Sequence, residues 1–413
     1  MRVTGKNMVD VKQANRAAIL TLLQMHGPMS RKRIASMLNL TPAAITTLVS
    51  DLQEAGLVKP LGEAPSPNGS KNVGRKEILL DLDGNEYFAA GISFDIGGAT
   101  VSTVTLSGKI ITTEKMIYMA GSDARSILQR ACKFVQCSIQ RQEAQQKICV
   151  GVGISVRGLV DECSNVCINS FGAWADENVP VQKLAEEYLP DYQIYVRQNL
   201  RALAETYLFD QQNEFVESAL FIKDGTGIGS ALIFDHLVYD GHRGIGSEVG
   251  HVTVDKGGKI CRCGCKGCLE TVSSCSSIER DVREIYSQTA TPVLYDLTGG
   301  HVENVNIDDI VVSAECNDPV VVRILDNAIE KLAMVLRNMI TGLGMQKVVL
   351  HGHIFHLSYF LEKLKESIFM DANSIFLDSV IETTENVQEM ENKCSPVLAI
   401  KAFFERGGRL EKD

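Results

Sequence analysis

Apolar residues near the start of the chain recur at three- and four-residue intervals, the spacing of one helix face. In NRAAILTLLQMHG, Ile19, Leu20, Leu22 and Leu23 mark an amphipathic helix ending near Gly27. Ser30 suits the cap of a short helix with Ile34, Ala35 and Leu38 on its inner face, and Asn39 and Leu40 make a tight turn. Thr41 is a good N-cap, Pro42 fits the first helical position, and Ile45, Leu48, Val49 and Leu52 line one side of the next helix. Its other side shows Ala43, Ala44, Thr46, Thr47 and Ser50, all small. Short strands at 57 to 59 and 78 to 80 flank a loop rich in Pro, Gly, Ser and Asn. The period then changes. YFAAGISFDIGGATVSTVTL reads as an apolar strand, an Asp-Gly-Gly turn and an alternating strand, and GKIITTEKMIY as the third strand of a meander. The same order returns in SALFIKDGTGIGSALIFDHLVYDG, with Asp95 and Asp224 in equivalent places. The segment 318–340 predicts a helix apolar on more than one side, which marks it as core rather than interface.

A length of 413 residues exceeds one hydrophobic core and implies two or three domains. Apolar content of 45% with 22% charged residues is that of an ordinary globular protein, and no run of eighteen apolar residues predicts a membrane span. No export signal is visible at the N-terminus, so the expected compartment is the cytoplasm, where disulfides are rare. Cys132, Cys137, Cys149, Cys163, Cys167, Cys275, Cys316 and Cys394 then read as ordinary buried or surface thiols.

Charge adds a division that periodicity does not show. Residues 1 to 80 hold 11 basic and 5 acidic side chains, whereas the rest hold 30 and 46. A basic head on an acidic body suits a module that grips a polyanion. Small residues on the third helix let its backbone approach base edges, and the Ala and Thr methyls can meet thymine methyls. The head reads as a winged helix–turn–helix that contacts DNA through Ser30, Arg31, Thr41, Ala43, Ala44, Thr46 and Thr47. Its wing would bring Lys71, Arg75 and Lys76 to phosphates or the minor groove. The competing reading is a three-helix protein-interaction module.

The two glycine turns, with Asp95, Gly97 and Gly98 in one and Gly225, Thr226 and Gly227 in the other, let backbone N–H groups approach phosphate oxygens. With VGVGISVRGLVD (150 to 161) they predict two similar lobes of the actin-like, sugar-kinase type. CRCGCKGC packs four of the chain's 12 cysteines together, ten residues after His251. Three thiolates and an imidazole suit tetrahedral zinc. The metal would be structural, since the protein fills all four positions. Cys265 is either a spare thiol or a ligand in place of His251. A redox pair of Cys265 and Cys268 and a set of inert thiols are the alternatives.

GIGSEVGHVTVDKGGKICRCGCKGCLE resembles the signature of the ROK family of repressors, open reading frames and sugar kinases: G-E-x-G-H, then C-x-C-G-x-x-G-C-x-E. The resemblance spans nearly the whole chain. It implies an α/β fold in which a winged helix–turn–helix precedes a two-lobed actin-like domain. The expected divisions are 1–82 for the head, 83–200 for a small lobe completed by a C-terminal helix at 395–413, and 201–394 for a large lobe with the zinc loop. It makes His251, Cys261, Cys263 and Cys268 the zinc ligands and turns Glu248, His251 and Glu270 toward a sugar. Asn169 joins them, in INSFGAW, which is similar to the family's Pro-Asn-Leu-x-Gly-Trp. The family's kinases carry Asn-Asp-x-Asn-Ala, with the Asp as general base. VRQNLRALAE instead puts Val196 and Arg197 at the Asn and Asp positions. A guanidinium cannot accept a proton from an alcohol. Ala99 and the His351-Gly352-His353 stretch also depart from the kinases' nucleotide-binding pattern. The implied protein is a sugar-responsive transcriptional regulator that has lost catalysis, with an active kinase and a zinc scaffold as the other readings. Its partners would be palindromic operator DNA, a sugar effector and further copies of itself as a dimer or tetramer, with no membrane. Arg197 suggests in addition an effector bearing phosphate or carboxylate; an Arg turned outward or paired with Asp161 is the alternative.

Overall fold

The computed structural model describes residues 8–63, 77–211, 215–242, 244, 246–369 and 380–410. They fall into two compact units: Met1–Phe215 with Gln388–Asp413, and Val216–Val387.

The first unit opens with helices Met8–His26, Arg31–Leu38 and Pro42–Glu54. Their ends follow from local chemistry. The Ser30 hydroxyl accepts from the Arg33 N–H at 3.3 Å, and the Thr41 hydroxyl accepts from the Ala44 N–H at 3.3 Å. Asn39 turns the chain between them at φ 52°, a left-handed conformation that Asn tolerates. Ile34, Ala35, Ile45, Leu48, Val49 and Leu52 are buried. Strand Ile78–Leu82 pairs antiparallel with both Met29–Ser30 and Val58–Glu63. The first wing strand thus runs further than the predicted 57 to 59, and Pro60, which has no N–H to offer a ladder, lies on an edge strand.

In the body of this unit, Tyr87–Asp95, Gly98–Thr105 and Ile110–Ile117 form the expected antiparallel meander, and Ile148–Val156 and Ile194–Gln198 extend the sheet in parallel. Alternation along the central strand separates two cores. Phe88, Ala90, Ile92 and Phe94 pack with helices Ala124–Glu143 and Val181–Tyr188. Ala89 faces the other way, into a core that holds Val397, Ile400 and Phe403 together with Ile19, Leu20 and Leu57 of the winged head. Head and body therefore share one apolar interior.

That second face is built on a glycine slot. Gly91 and Gly153 are neighbours in register. A Cβ at Gly91 would come within 2.5 Å of the Pro396 ring, and one at Gly153 would overlap the Ser395 carbonyl. Helix Val387–Glu405 thus lies on the sheet at backbone contact. It begins upstream of the 395 expected from the sequence. Helix Asn199–Asp210 follows strand Ile194–Gln198 directly and buries Leu200 through Phe209 in this unit, so the unit boundary falls after 215 rather than at 200.

The second unit repeats the plan. Leu237–Val238, Ile228–Phe234 and Ser218–Asp224 are antiparallel, and Lys347–His351 and Val380–Thr383 continue the sheet in parallel. Both sheets run in the same strand succession, as the duplicated hairpin predicted. Helix Pro319–Leu343 buries Leu325, Ile329, Leu332 and Leu336, in keeping with its expected core position. Among the described residues no helix is long and apolar enough to cross a membrane.

Candidate functional site

In the second unit a short 3₁₀ turn, Val249–His251, packs on strand Ile228–Phe234. The Val249 N–H donates to the Ser230 hydroxyl at 3.1 Å, and a Cβ at Gly250 would overlap the Ile228 carbonyl. This close seating fixes His251. The loop that follows closes through bridges Thr253↔Cys268 and Ile260↔Lys266, with Gly264 and Gly267 at positive φ. It brings one ligand atom each from His251, Cys261, Cys263 and Cys268 within 4.8 Å of one another. Cys261 Sγ lies 3.5 Å from His251 Nδ1, and Cys263 Sγ lies 3.6 Å from Cys268 Sγ. This cluster can hold a metal ion. Cys265 is exposed and lies outside this cluster, whereas His251 belongs to it.

Glu270 opens the helix Glu270–Ser273 directly behind the loop and is 7% exposed. Its Oε1 accepts from Cys261 Sγ at 2.9 Å and lies 3.7 Å from His251 Nδ1. Glu248 is exposed, and its carbonyl accepts from the His251 N–H at 3.0 Å. Glu248, His251 and Glu270 are therefore gathered around one loop. A fourth residue, unremarked in the sequence, completes the group. Arg262 reaches Glu270 Oε1 with Nε at 3.1 Å and the Thr226 carbonyl with Nη2 at 2.8 Å. A Cβ at Gly227 would meet both Glu270 and Arg262 at 2.6 and 2.7 Å, so the glycine turn and the metal loop touch through this guanidinium. Its place between two cysteines was the only sequence signal.

Asp224 ends its strand buried, with Oδ1 accepting from the Cys275 N–H at 3.0 Å and Oδ2 without a hydrogen-bond partner among the described residues. Burial pushes its carboxyl up to about 7. His351 is buried, its Nδ1 2.9 Å from the Thr384 hydroxyl, and Gly352 (φ 140°) would bring a Cβ within 2.6 Å of the Asp224 carbonyl.

In the first unit Asn169 is held in place: its amide donates to Glu177 Oε1 at 3.1 Å and its Oδ1 accepts from the Phe171 N–H at 2.8 Å. Asp95, at the first glycine turn, pairs with Arg157 at 3.0 Å, and its own turn N–H at Ile96 donates to it at 2.8 Å. Gly97 (φ 73°) and Gly98 complete the turn. Arg197 sits one residue before the end of strand Ile194–Gln198. Its Nε pairs with Glu205 Oε1 at 2.7 Å and its Nη1 with Glu162 Oε2. Two of the chain's own carboxylates, Glu162 and Glu205, thus engage the guanidinium that the sequence offered to an anionic effector. Glu162 also takes Arg201 at 3.1 Å, and Glu205 takes Lys401 at 2.7 Å. Lys401 and Arg197 hold the Glu205 carboxyl below its usual range in spite of its burial.

On the third helix of the head, Ala43, Thr46 and Thr47 are exposed and Ala44 is half-buried. Thr46 and Thr47 turn their hydroxyls back onto the Pro42 and Ala43 carbonyls at 2.8 and 3.2 Å. Ser30 is buried as a cap, and Arg31 donates to Gln53 Oε1 at 3.0 Å. Lys71, Arg75 and Lys76 lie outside the described residues.

The ROK family profile matches residues 91–392, and the MarR family profile matches residues 13–59. The xylose repressor of Caldicellulosiruptor bescii is 24% identical over 366 residues, 88% of this chain and 89% of its own. The DNA-binding transcriptional dual regulator NagC of Escherichia coli K12 is 25% identical over 354 residues, 84% and 82% of the two chains. The crystal structure of a ROK family transcriptional regulator, a homolog of the E. coli MLC protein, superposes with a TM-score of 0.79 at 22% identity, over 96% of this chain and 98% of that one. A ROK family glucokinase from Streptomyces griseus, solved with glucose and AMPPNP, gives 0.62 at 19% identity over 75% of this chain and 98% of its own. Two sheets of one topology, a four-ligand loop behind G-S-E-V-G-H and a match over most of its length make this chain a member of the ROK family.

Proposed function

We propose that the chain is a sugar-responsive transcriptional regulator, acting as a repressor, whose ROK domain senses a sugar without phosphorylating it. The winged helix binds a palindromic operator as part of a homodimer in the bacterial cytoplasm. Glu248, His251, Glu270 and Asn169 are the proposed contacts to effector hydroxyls. Carboxylates accept from vicinal hydroxyls, and an amide both donates and accepts. A relative named a xylose repressor and one named a DNA-binding transcriptional dual regulator, matched over 88% and 84% of this chain, support this reading.

The observation that carries the loss of catalysis is Arg197. Phosphoryl transfer needs an acceptor for the hydroxyl proton, and by the family's pattern position 197 supplies it. Here that position is a cation locked between Glu162 and Glu205. Loss of a general base costs about 10²- to 10⁴-fold in rate.

The proposed cofactor is structural zinc. A tetrahedron with Zn–S bonds of about 2.3 Å sets its ligands about 3.8 Å apart. The separations of 3.5 and 3.6 Å in the loop fit such a site. A bound zinc would keep Cys261 as a thiolate, which cannot donate to Glu270. Glu270 then retains Arg262 as its partner and can accept from a sugar hydroxyl. His251, ligating through one nitrogen, keeps the other for the same sugar.

The test is a thermal-shift screen of neutral and phosphorylated hexoses, pentoses and amino sugars, followed by operator binding with each hit. A hit that stabilises the protein and weakens DNA binding is expected. ADP release from a hexose and ATP at a rate typical of sugar kinases would overturn the sensor reading. The absence of any stabilising sugar would leave a scaffold.

A further inference from the structure

Two helices in the first unit run between the strand end at Arg197 and the winged head. Helix Asn199–Asp210 begins right after that strand, where the Gln198 side chain caps it by accepting from the Arg201 N–H at 3.2 Å. It ends on the head: Phe209 joins the core of Ile19, Leu20 and Leu23, and Gln24 donates to the Phe209 carbonyl. Helix Val387–Glu405 begins where the chain re-enters the unit and is seated in the glycine slot of the sheet. It also ends in the head, through Phe403, Phe404 and the Gly407 carbonyl, which accepts from the buried Arg16 Nε at 2.7 Å. Lys401 reaches Glu205 at 2.7 Å and Lys393 reaches Asp210 at 2.9 Å, tying the two helices together.

We infer that these two helices, cross-tied by Glu205–Lys401 and Asp210–Lys393, form a strut that transmits the state of the strand end at Arg197 to the DNA-binding head. Glu205 is the joint: one carboxylate oxygen holds Arg197 and the other holds Lys401. Because Glu205 is 7% exposed, displacing either cation leaves a buried charge less well paired, so the three groups move together. Val397 and Ile400 before Lys401 and Phe403 and Phe404 after it lie in the core shared with the head. The inference gives the proposed regulator the last part of a route to DNA and rests on that reading for its purpose, not for its geometry.

The network has a useful redundancy. Arg197, Arg201 and Lys401 surround two carboxylates, Glu162 and Glu205. Arg197→Met leaves Glu162 with Arg201 and Glu205 with Lys401. Lys401→Met leaves Glu205 with Arg197. Neither change orphans a buried carboxylate, so both variants are expected to fold.

The experiment is a double-mutant cycle on the full chain without any sugar. Hydrogen–deuterium exchange is read in the head helix Met8–His26 for wild type, Arg197→Met, Lys401→Met and the double variant, with helix Ala124–Glu143 on the opposite face of the sheet as control. Arg197→Met is expected to change head exchange by about threefold or more, and by less than about 1.5-fold when Lys401→Met is already present. Lys401→Arg should preserve the full response. Unchanged head exchange in Arg197→Met, independent effects in the double variant, or equal loosening of the control helix would each overturn the strut. Affinity for a duplex selected by the wild-type protein from a random library should follow the same pattern. If wild type selects no duplex, the regulator reading fails while the exchange cycle still decides the strut.

Discussion

Asp224 shows how far one side chain can depart from its free chemistry. An unfolded aspartate ionises near 3.8, whereas burial holds this one to about 7. The folded protein therefore binds an extra proton between those values, and its stability falls as pH rises from about 4 to about 7, then levels off. The penalty above pH 7 is on the order of 4 kcal/mol at most. Asp224→Asn keeps an acceptor for the Cys275 N–H and carries no charge to bury. It is expected to raise the melting temperature at pH 8 by several degrees and at pH 5 by little, which thermal unfolding across a pH series would check. A gain equal at both pH values would refute the assignment. Other residues at this scale differed in how well the sequence announced them. Ser30 and Thr41 were legible as caps because their partners lie three residues away. Arg262 and the Arg197–Glu205–Lys401 chain were not, since Lys401 stands 196 residues from Glu205 and no periodicity records such a meeting.

Among elements, helix Pro42–Glu54 and the glycine slot invite opposite experiments. Ala43 is exposed in the first turn of its helix, where a carboxylate suits the helix dipole. Ala43→Glu should therefore leave the melting temperature unchanged while repelling phosphates. At least a tenfold loss of operator affinity, about 1.4 kcal/mol, is expected by fluorescence anisotropy. At Gly153 the backbone itself is in the way. A single methyl would strike the Ser395 carbonyl on a helix held at both ends, so Gly153→Ala should cost more than about 2 kcal/mol in urea unfolding. A cost below about 0.5 kcal/mol would mean that the helix lifts freely. The hairpins and reading helix were evident from alternation and from 3.6-residue spacing. The slot was hidden because a glycine in a strand looks the same whether it serves a turn, a bulge or a distant helix.

For the molecule as a whole, the duplicated sheet and the basic head were foreseen from repeat and charge, while the unit boundaries shifted. Helix Asn199–Asp210 looked like the start of a new lobe but buries its side chains in the first unit. The metal loop acts at this scale too, since it organises Glu270, Arg262 and the turn at Thr226 together. Cys263→Ser is expected to release one zinc per chain in a chromogenic assay and to lower the melting temperature by several degrees. Sugar-induced stabilisation should be lost with it. A variant that keeps its sugar response without metal would confine the ion to local folding.

The interior common to head and body also constrains how such a protein can be taken apart. Phe209 and Phe403 rest on Ile19, Leu20 and Leu57, so cutting away the DNA-reading segment would strip the cover from greasy side chains and leave a remnant prone to clump. The reader of this regulator is no bead on a string; the two parts are expected to fold as one piece.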